Sequence, residues 1–190
     1  MFAVIITIMV LGLKPPEHAT LGALFALWPT VLSYAVSFLF IAIVWVNHHH
    51  LLRFVDYPAP RLIWINFAHV FMVSLVPFST AWVADTRFAP VPVCTYAAVF
   101  VLVNLAYLPF ERYALALAEA DEVTATARRV AKVRSVATLG TFASAIVVSL
   151  RFPAWGFALV CSALLVYLRP DAFGDDVGER GSERLISAQQ

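Results

Sequence analysis

Three consecutive histidines, His48, His49 and His50, follow Trp45-Val-Asn47 and form the densest group of metal-capable side chains in the sequence. Successive helical residues point about 100° apart, so three neighbours in a row cannot converge on one ion. A zinc site also needs further nitrogen, sulfur or oxygen ligands. No nearby cysteine or carboxylate pair supplies them. The cluster is therefore expected to hydrogen-bond between helices and anchor an interface, with no metal bound. His69, one turn past Asn66, is the histidine set well inside an apolar stretch. An ionisable group at that depth in a membrane is a functional candidate by default. The plainer expectation is a neutral imidazole bonded to a neighbouring helix. Asn47, His48, Asn66 and His69 are read together as an interhelical polar network.

Catalysis has little to work with. The sequence contains no HExxH, no GxSxG and no glycine-rich phosphate loop, and no Asp or Glu falls inside its apolar stretches. Proton-coupled transporters commonly run on such carboxylates, so a transporter is disfavoured along with a membrane hydrolase. Cys94 and Cys161 sit within apolar runs and read as small buried hydrophobes. An enzyme is not expected, nor is a cofactor.

The elements that position these residues follow from composition. Of 190 residues, 62% are hydrophobic and 13% charged, with a mean hydropathy of +0.83. Soluble domains average about 45–50% apolar and about 25% charged. The excess must face lipid, which makes the chain an all-α, polytopic transmembrane bundle. Windows free of Asp, Glu, Lys and Arg cover residues 1–13, 28–47, 62–84, 88–110, 135–150 and 152–168, giving six expected spans. The last two are short and need flanking arginines to snorkel. Prolines punctuate the joints, while Pro77 and Pro109 fall inside spans, where a kink is tolerated. Residues 1–170 are expected to form the six-helix transmembrane bundle, and the polar stretch 171–190 is expected to be disordered.

The first window is 13 residues, roughly 20 Å of helix against a hydrocarbon core of roughly 30 Å. The expectation is that the front of this helix is missing from the sequence. Lys14, Arg87 and Arg151 lie on one side of the six-span layout, and the other ten Lys and Arg residues on the opposite side. The positive-inside rule then puts both termini in the cytoplasm. Residues 111–134 read as an extension of the fourth span, an acidic turn (Glu119, Asp121, Glu122) and the basic start of the fifth. A net charge of +1 gives no electrostatic reason to expect a nucleic-acid partner.

Val4, Ile8 and Leu11 fall at i, i+4 and i+7 on the first span, with Thr7 beside that stripe. Ile5 lies off the stripe and is expected to face lipid. By pattern alone this is a lipid-facing or core helix. Yet the run Phe2-Ala-Val-Ile-Ile-Thr-Ile-Met-Val-Leu-Gly-Leu-Lys-Pro-Pro16 resembles the first helix of the prokaryotic TMEM175-like channel family. Trp28-Pro-Thr-Val-Leu-Ser-Tyr34 and Trp45-Val-Asn-His-His-His50 resemble its second, and Leu75-Val-Pro-Phe-Ser-Thr80 the end of its third.

That resemblance implies a potassium-permeable channel subunit, a homotetramer whose first helices line a central pore. Val4, Ile8 and Leu11 match the pore-facing apolar positions, where valine replaces the usual isoleucine, and Thr7 matches a threonine supporting that layer. The family hallmark Arg-x-x-x-Phe-Ser-Asp comes just before this stretch and is not in the sequence; Asn47 and His48 are candidates for the groups it packs against. The expected partners are copies of the chain, membrane lipid and the permeant potassium ion, in a cell membrane. The alternatives are a small secondary transporter or exporter and a non-conducting membrane scaffold. A transporter of the repeat-built kind would carry a polar midplane site.

Overall fold

The computed structural model describes residues 2–52, 55, 59–117 and 125–167, all of whose regular structure is helical. In chain order the helices are α1 (Phe2–Leu11), α2 (Leu21–Ala26), α3 (Trp28–Leu52), α4 (Pro60–Val73), α5 (Val76–Asp85), α6 (Pro90–Leu117), α7 (Ala125–Ser149) and α8 (Pro153–Tyr167). The acidic turn at 118–124 and the tail from residue 168 lie outside the described residues.

Among the described residues, three stretches are long and apolar enough to cross a membrane: Trp28–Leu52, Pro60–Asp85 and Pro90–Ala116. At about 1.5 Å rise per residue, each exceeds the roughly 30 Å hydrocarbon core. Helices α1 and α8 are apolar but shorter, and α7 opens on a basic segment. The chain is thus a multi-pass helical membrane protein.

The expected third span is not one helix. It breaks at Ser74–Leu75 into α4 and α5. Pro77 has no N–H for the Val73 carbonyl and would clash with it in a continuous helix. The chain answers with a tight turn: Ser74 N–H donates to the carbonyls of Val70 (2.9 Å) and Phe71 (3.1 Å), and the Ser74 hydroxyl also donates to Phe71 O at 2.7 Å. Pro109, by contrast, leaves α6 unbroken. The short helix α2 has no counterpart among the expected spans. Thr20 caps it, its hydroxyl accepting from Ala23 N–H at 3.2 Å.

At the α5–α6 turn, Arg87 and Phe88 both adopt positive φ (48° and 61°). This is a strained conformation for side-chain-bearing residues, costing on the order of 1–3 kcal/mol each. Packing of the Phe88 ring offsets it: Trp28 stacks on one side at 5.4 Å, and Phe157 meets it edge-on at 4.7 Å.

The core sits between α3, α5, α6, α7 and α8. Phe40 stacks on Phe100 at 3.7 Å, and Phe142 presents its edge to both. Beside them, Ser37 Oγ lies 2.7 Å from both Thr80 Oγ1 and Tyr96 Oη, joining α3, α5 and α6 through three buried hydroxyls. In a bundle whose helices gain little from apolar contact alone in lipid, such bonds and close packing carry the association.

Candidate functional site

Helix α1 packs against α3 and α5 at the margin of the bundle. It ends where Gly12 and Leu13 N–H turn back to the Met9 and Val10 carbonyls, ahead of Pro15 and Pro16, which cannot continue it. Phe2, Ile5 and Met9 point inward and are 5–8% exposed. Val4 (59%), Ile8 (53%) and Leu11 (81%) form an uncovered apolar stripe on the other face. The expectation that Ile5 faces lipid is wrong, because Ile5 is part of the core. The Thr7 hydroxyl donates to Val4 O at 2.7 Å, within its own helix, so it braces the backbone of the stripe rather than a neighbouring helix.

Behind α1 lies the polar cluster. The Phe2 ring meets His48 at 5.4 Å, and His48 stacks almost flat on Phe110 at 4.7 Å. His48 Nε2 lies 2.7 Å from Asn66 Oδ1, joining α3 to α4. The amide oxygen accepts, so Nε2 carries the proton. His69 lies parallel to His48 at 6.0 Å and beside Tyr107 at 5.5 Å. It is fully buried, and neither ring nitrogen has a hydrogen-bond partner among the described residues. Among the described residues the expected bond from His69 to a neighbouring helix is not closed; the Val103 backbone of α6 adjoins the ring, and its side-chain neighbours include the aromatic rings of His48 and Tyr107. Asn47 shares a cavity wall with His69. His49 stacks on Trp45 at 5.4 Å on the exposed side of α3. Among the described residues, no three potential metal ligands come together.

Sequence reasoning missed the Ser37–Thr80–Tyr96 triad. Its trace is the Ser33/Ser37 pair at i, i+4, with both residues fully buried on α3. The His48–Asn66 link carries a direct prediction. Asn66→Leu leaves a buried imidazole N–H unpaired and is expected to destabilise the fold by about 1–3 kcal/mol. Asn66→Gln, which keeps an amide in reach, should lose less. Thermal unfolding of the two variants in detergent compares them.

The model of the family "Endosomal/lysosomal potassium channel TMEM175" matches residues 1–77, the stretch that holds α1, the His48–Asn66 pair and His69. Over those residues the chain resembles that family. It is 39% identical over 109 residues to a protein of Chryseobacterium sp. (strain P1-3) named a potassium channel, covering 57% of each. A potassium channel of Streptomyces collinus is 35% identical over 114 residues, covering 56% of this chain and 55% of that protein. One of Chamaesiphon minutus is 33% identical over 115 residues, covering 56% and 57%. The chain thus spans little more than half the length of these relatives. Its fold matches the crystal structure of a lysosomal potassium-selective channel TMEM175 homolog from Chamaesiphon minutus, with a TM-score of 0.74 at 24% identity, covering 87% of this chain and 89% of that one.

Proposed function

We propose that the chain is one subunit of a homotetrameric, potassium-permeable channel in the cell membrane, with four copies of α1 around the ion path. The observation that carries this reading is the two-faced character of α1. One apolar stripe is locked into the bundle and the opposite one, Val4, Ile8 and Leu11, is left uncovered on a marginal helix. The likeness of residues 1–77 to a potassium channel family adds the chemistry.

Six spans per subunit would place both termini in the cytoplasm, since ten of the thirteen Lys and Arg residues then fall on that side. Rings of four Val4, Ile8 and Leu11 side chains would form an apolar constriction that excludes water when narrow. Potassium holds its hydration shell less tightly than sodium and so loses less on passing. Thr7 holds the backbone of that layer, while Asn47, His48, Asn66 and His69 brace the helices behind it. Membrane lipid would cover the exposed aromatic and aliphatic faces of α4 and α8, including Trp64, Phe71 and Trp155.

Purified protein in potassium-loaded liposomes tests this directly. Potassium efflux and a tetrameric native mass are expected, together with activity of a cytoplasm-dependent reporter fused after Gln190. A stable monomer or dimer that passes no ions would refute the channel reading. Periplasmic activity of the fusion would overturn the orientation alone.

A further inference from the structure

His69 presents two unpaired ring nitrogens in the middle of the bundle. Burying a polar group without a partner costs about 1–3 kcal/mol on protein scales, and a neutral imidazole has one donor and one acceptor to satisfy. The ring borders a cavity of about 30 Å³ whose polar lining is His69, Asn47, Asn104, Tyr107 and Thr138. These come from α3, α4, α6 and α7, so the cavity gathers polar groups from four helices. Asn104 Nδ2 is committed to Phe100 O at 3.0 Å, which leaves its side-chain oxygen to turn elsewhere. Among the described residues, no charged side chain lines the space. An ion there would lose its hydration with no counter-charge in return. The occupant must be small, neutral and able both to donate and to accept.

We propose that this cavity is a hydrated site, in which one or two water molecules bridge the His69 ring to the side chains of Asn47, Asn104 and Thr138. The volume suffices, since a single water needs only about 10–15 Å³ of such space and two to four polar partners. Water there turns an unpaired imidazole into a node linking α4 to α3, α6 and α7, without any direct side-chain bond between them. The site does not depend on conduction and stands or falls separately from the channel reading.

The Val103 backbone adjoins the same ring, so a small shift of the imidazole onto it is the competing arrangement. A density map of the full chain in lipid that resolves ordered water separates the two. Peaks within hydrogen-bond distance of His69 Nδ1 or Nε2 are expected. An empty cavity, or a ring bonded only to Val103, would overturn the proposal. Thermal unfolding gives a second readout with opposite signs. In a hydrated site, His69→Leu removes the anchor of the bridging waters and should lower the midpoint by about 3–8 °C. In a dry one it relieves two unmade hydrogen bonds, and the midpoint should rise.

Discussion

Ile8→Asn is expected to raise basal potassium flux through reconstituted protein at least about tenfold, and to narrow the difference between potassium and sodium. A tenfold change needs only about 1.4 kcal/mol off the permeation barrier. In the proposed tetramer, four amides replacing four sec-butyl groups around a shared axis would lower it by holding water in the constriction. Leu11→Ala, which widens the ring without adding polarity, should act in the same direction and more weakly. The control is Ile5→Asn. Ile5 is in the core, so its amide would lose apolar contacts and be left without a partner, costing about 3–5 kcal/mol. Protein yield and tetramer content should fall, with no gain in flux per tetramer. The contrast between two isoleucines three residues apart is the decisive result. If Ile8→Asn and Ile5→Asn both destabilise and neither conducts more than the parent, with flux matched to protein amount, α1 does not line a pore.

That contrast also shows where the sequence is legible. Helices α3 and α6 can be placed closely because long charge-free windows admit little else, and the hydrophobic excess requires lipid around them. The orientation of α1 cannot be derived in the same way. Its ten residues are apolar all round except Thr7, so no periodicity distinguishes the buried stripe from the exposed one. Only packing against α3 and α5 decides it, and that is why pattern alone misplaces Ile5. Pro77 is visible as a perturbation, but a kink and a break have the same sequence signature. The choice of a break depends on Ser74 being able to close the turn. The His48–Asn66 bond is foreseeable because a polar side chain on an otherwise apolar helix seeks a partner on a neighbouring helix. The missing partner of His69 is not, because an absence is fixed by where its neighbours' side chains turn.

The α7–α8 hairpin offers the largest expected effect on stability. Helix α8 starts at Pro153 and crosses α7 where Gly156 meets Ser149. A methyl group at Gly156 would overlap Ser149 Oγ and fall 2.9 Å from both its Cα and its Cβ. The Ser149 hydroxyl cannot swing clear at no cost, since it donates to Ala145 O at 2.5 Å inside the buried face of α7. The α7 backbone crowds the glycine as well as the side chain does, so the helices must separate. Gly156→Ala is therefore expected to cost about 3 kcal/mol or more, the upper range for overpacking, and to lower the unfolding midpoint by roughly 6–12 °C. Gly140 on α7 is the matched control. No atom lies within 4 Å of a Cβ built there, so Gly140→Ala should gain up to about 1 kcal/mol from helix propensity alone. The same substitution thus has opposite signs at two glycines. Ser149→Gly in the Gly156→Ala background removes the hydroxyl and methylene overlaps but not the crowding by the α7 backbone, so rescue should be partial. Full tolerance of Gly156→Ala would mean that α8 can slide on α7. The cavity wall that Leu164 of α8 shares with Thr138 and Phe142 of α7 would then not be held in place by this crossing.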